Sequence, residues 1–164
     1  MYSNYNLGAG LDYLDRQGTR FEDGDPRFDS LPAHFHVNDA SYGPFSRNLV
    51  DYWGPETGEK TPVVVYIHGG GFVMNGMDQV HSRGDTVAKL LRAGVGVASI
   101  QYRYAYGNSE TAINSGQPND IGEDPSKNGA RLDVVLRDCA RAIQYLRYRA
   151  EDWNIDPARI GAWG

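Results

Sequence analysis

The chain has 164 residues, with 40% hydrophobic and 23% charged side chains, the balance of an ordinary globular domain with a core of its own. Its 16 basic residues stand against 21 acidic ones, a formal net charge of −5, so no cationic excess exists to neutralise nucleic-acid phosphates or an anionic membrane surface. No apolar run is long enough to span a bilayer, and the polar, Gly- and Asp-rich first thirty residues lack the apolar core of a secretory signal.

Residues 1–45 show little hydrophobic periodicity and much turn chemistry, as in Asp23-Gly24-Asp25-Pro26 and Tyr42-Gly43-Pro44. They read as an irregular, partly helical arm, which serves either as a surface extension or as a lid over a pocket. Residues 46–164 read as the body of a domain. Arg47–Trp53 alternates as a strand, and the turn-rich stretch 54–60 connects it to Val63-Val64-Val65-Tyr66-Ile67. That second run is β-branched and apolar on both faces, which suits a central parallel strand covered by helices.

A helix is expected over residues 78–92, with Val80, Thr86, Val87, Leu90 and Leu91 on one side and Gly94 as its stop. Residues 96–102 form another buried strand, so strand, helix and strand make a right-handed crossover unit. Residues 105–130 break the pattern with glycines, prolines and amides, a long loop insertion. Leu132, Val135, Leu136, Cys139, Ile143 and Leu146 then repeat at helical spacing over 132–149. Cys139, the single cysteine, sits in that stripe as a small core residue; no intrachain disulfide is possible and the compartment stays open. A turn at 154–157 leads to a third buried strand over 159–164.

The segment that carries chemistry is His68-Gly69-Gly70-Gly71-Phe72, directly after the strand 63–67. Three glycines there leave a bare main chain at a strand's carboxyl end, where open α/β sheets bind ligands. A phosphate loop needs a following Lys-Ser or Lys-Thr, or a second glycine pattern opening into a helix, and neither is present. The alternative is an oxyanion hole, in which amides face a carbonyl oxygen that turns negative during acyl transfer.

Val65–Phe72, then Ala98-Ser99-Ile100-Gln101-Tyr102-Arg103-Tyr104, then Asn154-Ile155-Asp156-Pro157-Ala158-Arg159-Ile160-Gly161 occur in one order. In that order they resemble the hormone-sensitive-lipase-like and type-B carboxylesterases of the α/β-hydrolase superfamily. The resemblance covers residues 47–164, is weak for the arm and is absent for 105–130. Where that family reads Tyr-Arg-Leu-Ala-Pro-Glu, this chain has Tyr102-Arg103-Tyr104-Ala105-Tyr106-Gly107.

The resemblance implies an α/β-hydrolase fold, with a mostly parallel central sheet and helices on both faces, of which this chain is the amino-terminal half. It implies a serine carboxylesterase acting on a small-molecule ester through an acyl-enzyme, with no cofactor and no metal. The amides of Gly70 and Gly71 form the oxyanion hole, Gly69 and His68 support the loop, and Gly164 opens the nucleophile elbow G-x-S-x-G. The triad follows in the order serine, acid, histidine beyond residue 164, so His34, His36, His68 and His81 are not the base. His34-x-His36 is read as exposed rather than metal-binding.

Phe72, Tyr104 and Tyr106 are candidates for the acyl or alcohol pocket, against packing as the alternative. The expected partner is the carboxyl-terminal half of the same fold, present as a separate chain with the break inside the elbow. Two other readings stay open: an amide or formamide hydrolase with the same machinery, and a non-catalytic receptor or interaction module on this fold.

Overall fold

The computed structural model describes residues 33–45, 47–72, 75–105 and 132–164. Five strands form one mixed sheet: β1 (Ala33–Ser41), β2 (Leu49–Pro55), β3 (Thr61–Ile67), β4 (Gly96–Ile100) and β5 (Ile155–Trp163), in the order β1-β2-β4-β3-β5. β1 pairs with β2 and β2 with β4 antiparallel, while β3 pairs parallel with both β4 and β5. A 3-10 segment (Met77–Arg83) and helix α1 (Gly84–Arg92) link β3 to β4, and helix α2 (Leu132–Tyr148) precedes β5.

The two helices cover opposite faces for a topological reason. From β3 the chain steps one way to β4, and from β4 it returns past β3 to β5. Crossovers of one hand put connections running in opposite directions on opposite sides of the sheet. Alternation along the strands serves both layers. Val50, Tyr52, Val63, Val65, Ala98 and Ile100 pack toward Ala142 and Leu146 of α2 with Trp153 and Ile155. Trp53, Tyr66 and Val97 pack on the other face toward Val80, Val87 and Leu91. A run apolar on both faces is what such a doubly covered strand requires.

Local details follow from single residues. α1 ends in a Schellman turn: Gly94 has φ 77°, its amide donates to the Leu91 carbonyl at 3.0 Å, and Val95 donates to the Leu90 carbonyl at 2.9 Å. Gly96 is a close approach, since a Cβ there would meet the Tyr52 hydroxyl at 2.7 Å and its ring at 3.0 Å. That ring cannot yield, because it stacks on Trp153 at 5.4 Å.

The structure corrects four sequence expectations. Residues 33–41 of the supposedly irregular arm form β1, in which Phe35 and Val37 alternate onto the core while Asp39, at φ 53°, interrupts the register. Only this end of the arm is described, and residues 1–32 lie outside the described set. The helix expected at 78–92 divides, the first part being 3-10 and the α-helix starting at Gly84.

The buried stripe of α2 runs through Val134, Val135, Asp138, Ala142 and Leu146, leaving Leu132 and Leu136 exposed. The helix is turned so that Asp138 faces inward, where it meets the buried Arg103 guanidinium. β5 is also less buried than expected, with only Ile155 fully covered, because β3 is its sole sheet neighbour among the described residues. Cys139 packs against the core, and burial pushes its thiol up to about 11, away from reactive thiolate character.

Candidate active site

The pairing of β3 stops at Ile67, and the chain then crosses the carboxyl edge of the sheet as His68–Phe72. Gly70 has φ 116°, Gly71 φ 61°, Phe72 φ 69° and Asn75 φ 70°. This succession of left-handed residues turns the backbone away from the ladder, and the Gly70 value is one that side chains with a Cβ do not reach comfortably. The Gly69 amide donates to Gln79 Oε1 at 3.1 Å. Among the described residues, the amides of Gly70 and Gly71 donate to none. Gly70 is half-buried and Gly71 exposed, and a Cβ built at Gly71 would meet nothing within 4 Å.

Why the loop holds this course is answered by residues 99–105, which leave β4 beside it. The Tyr102 hydroxyl donates to the His68 carbonyl at 2.6 Å, and the two rings stack at 4.1 Å and 5°. The Ala105 amide donates to the Phe72 carbonyl at 2.8 Å. The Tyr104 hydroxyl and Arg47 Nη2 both donate to the Asn75 carbonyl, at 2.5 and 3.1 Å. Met77 is held at both ends of its peptide, its amide donating to Gln101 Oε1 at 3.2 Å and its carbonyl accepting from Ser99 at 2.7 Å.

Residues 101–105 are themselves fixed by a buried ion pair. Arg103 Nε and Nη2 donate to the two oxygens of Asp138 at 2.9 Å each, and the Arg103 amide adds a third bond at 3.0 Å. The guanidinium also lies 3.7 Å over the Phe45 ring. This fork-on-fork geometry is what turns Asp138 into the core and rotates α2.

His68 is buried, and its Nδ1 donates to the Gly69 carbonyl at 2.8 Å, which sets the neutral tautomer with its proton on Nδ1. Burial holds its pKa down to about 4, against 6.5 for a free histidine, with Arg47 adding to the depression. Between 6.5 and about 4 the unfolded chain takes up a proton that the folded chain refuses, so stability is full above 6.5 and declines as pH falls through that window. The expected loss is roughly 3 kcal/mol. Urea midpoints at about pH 7 and about pH 4 should show a steeper acid loss for the unaltered protein than for His68→Gln, and equal slopes would remove the assignment.

Gly164 enters through the parallel register of β5. Tyr66 pairs with Trp163, so Gly164 lies alongside Ile67, one residue before the glycine loop. A Cβ at Gly164 would stand 2.8 Å from the Ile67 carbonyl oxygen, a backbone atom, so only glycine fits. The structure thus brings Gly164 and His68–Gly71 to one end of two adjacent strands, although they lie about a hundred residues apart in sequence.

The other sequence candidates are placed differently from one another. Phe72 is 43% exposed at the end of the loop. Tyr104 is fully buried, with Arg47 3.6 Å over its ring and its hydroxyl on Asn75. Tyr106 lies outside the described residues, as does most of the loop insertion at 105–130. His36 stacks on Trp53 at 5.2 Å. Arg47, Gln79 and Asp138 were not signalled by any local motif, and Gln101, inside a segment that carries the resemblance, was not singled out; each acts on a partner distant in sequence.

The BD-FAE family model matches residues 50–122 of this chain. Esterase LipW from Mycobacterium marinum superposes with a TM-score of 0.57 at 18% identity, covering 97% of this chain and 43% of that one. The chain has the α/β-hydrolase fold. A bacterial heroin esterase gives the same fold with a TM-score of 0.53 at 23% identity, covering 94% of this chain and 40% of that one. Gut esterase 1 of Caenorhabditis elegans is 27% identical over an alignment of 157 residues that covers 85% of this chain and 24% of the relative. The chain therefore spans about a quarter of that curated relative and about two fifths of the two solved chains. Among the described residues, no helix is long and apolar enough to cross a membrane.

Proposed function

We propose that this chain carries the oxyanion-binding part of a serine carboxylesterase. A serine two residues beyond Gly164 attacks the ester carbonyl, and a histidine further along accepts its proton, oriented by an acid. The carbonyl oxygen becomes negative and is held by the amides of Gly70 and Gly71, with a third amide following the serine. The histidine returns the proton to the leaving alcohol, and water then repeats the sequence on the acyl-enzyme.

One observation carries this reading: two amides without a described partner stand at the carboxyl end of β3, and Gly164 ends beside the same strand at Ile67. Preorganised donors cost no reorganisation when charge develops, and each such donor is worth about 2.7–4 kcal/mol of transition-state stabilisation. The esterase names among the relatives support the same reaction class. The exposed Phe72 flanks the loop and is the wall against which an acyl or alcohol group rests.

The test is turnover of p-nitrophenyl acetate by the natural protein containing this chain, with and without a serine-directed organophosphate. Hydrolysis that stops when one serine is labelled, two residues after Gly164, is the expected result. Faster cleavage of p-nitroacetanilide than of the ester would assign an amide hydrolase instead. Neither turnover nor labelling would leave a non-catalytic interaction module on the same fold.

A further inference from the structure

We infer that Arg47 and Tyr104 are positioning residues that together hold the Asn75 carbonyl and, through it, aim the Gly70 and Gly71 amides. The kinetic consequence rests on the esterase reading; the geometry does not. Asn75 sits at φ 70°, a left-handed turn that asparagine adopts at small cost and that points its carbonyl back toward residues 102–104 and Arg47. Its carbonyl accepts two bonds, from the Tyr104 hydroxyl at 2.5 Å and from Arg47 Nη2 at 3.1 Å, which uses both lone pairs.

The donors are fixed in turn. Arg47 is fully buried, its Nε donates to the Tyr102 carbonyl at 2.8 Å, and its guanidinium carbon lies 3.6 Å from the centroid of the Tyr104 ring. A planar fork that serves two carbonyls and stacks on a ring is work a lysine cannot copy, because an ammonium is a compact point charge on a flexible stem. The same stretch, 102–105, also grips the loop at His68 through the Tyr102 hydroxyl and at Phe72 through the Ala105 amide. The glycine run is therefore pinned before, at its end and beyond, with Arg47 and Tyr104 supplying the last pin.

A residue that merely fills space would leave the reaction profile unchanged once the protein is folded. A residue that touches substrate would alter KM. A positioning residue lowers kcat while KM stays, because misaimed amides lose stabilisation only where charge develops.

The experiment uses the natural protein with Tyr104→Phe and, separately, Arg47→Lys. Tyr104→Phe deletes one hydroxyl and keeps the ring under Arg47; it is expected to lower kcat about tenfold with KM within about twofold. Arg47→Lys is expected to lose at least as much. Binding of a trifluoromethyl ketone should weaken by the same factor as kcat/KM. Amide exchange in a peptide containing residues 69–76 should quicken in both variants, while peptides from β3 and β4 stay as protected as before.

Unchanged kcat and unchanged exchange in Tyr104→Phe would overturn the inference, as would a rise in KM at constant kcat. Should Arg47→Lys fail to fold, Tyr104→Phe alone decides. If the unaltered protein hydrolyses no ester, the esterase reading fails, and the exchange measurement still judges the clamp: faster local exchange upholds it and equal exchange ends it.

Discussion

Gly70→Ala is expected to lower kcat for ester hydrolysis about 10²–10³-fold, the loss typical of one oxyanion donor. The reason is the backbone. At φ 116° Gly70 occupies a region that a Cβ makes costly, so alanine there forces the peptide to rotate and both neighbouring amides swing with it. Gly71→Ala serves as the contrast. Its φ of 61° is one that alanine adopts at about 1 kcal/mol, and a Cβ there meets nothing within 4 Å, so its effect on kcat is expected to be smaller.

Gly58→Ala, in an exposed turn with open space around the new methyl, is the silent control. Steady-state kinetics on a p-nitrophenyl ester make the comparison. A Gly70→Ala protein that kept most of its kcat would show that this amide does not meet the developing charge.

The largest stability effect is expected at Asp138. Asp138→Ala should cost about 3–5 kcal/mol, because it leaves the Arg103 guanidinium buried without its carboxylate. Asp138 is 0% exposed and Arg103 2%, so water cannot substitute for the lost acceptor. The segment 101–105 loses its anchor to α2 at the same time, and with it the bracing of the glycine loop.

The double variant Arg103→Met with Asp138→Leu is expected to recover much of the loss, since two apolar side chains of similar size leave no uncompensated charge. Guanidinium denaturation of the unaltered protein, Arg103→Met, Asp138→Leu and the double variant forms the cycle, with Asp138→Ala measured beside it. An Asp138→Ala protein as stable as the unaltered one would mean that Arg103 finds another acceptor.

Several parts of the fold are legible in local pattern because their signals are local. Val63–Ile67 announces a central strand by being apolar on both faces, and the structure indeed buries Val63, Val65 and Tyr66 against opposite layers. Gly94 announces the end of α1 because its φ of 77° is a property of one residue. The bare glycine run after β3 is visible for the same reason. β1 was the exception: Phe35 and Val37 carry the alternation, but Asp39 breaks the period before a reader can count enough repeats.

What the sequence alone determined was the doubly covered strand, the glycine run at its carboxyl end and the order of segments that resembles an α/β-hydrolase. What only the tertiary structure decided were the pairings across the chain: Arg103 with Asp138, Arg47 and Tyr104 with the Asn75 carbonyl, and Gly164 beside Ile67. A dihedral preference or a burial period is set by a residue and its near neighbours and can be read in a line. A buried charge or carbonyl is satisfied by whichever partner the sheet order brings near, and that order exists only once the strands have paired.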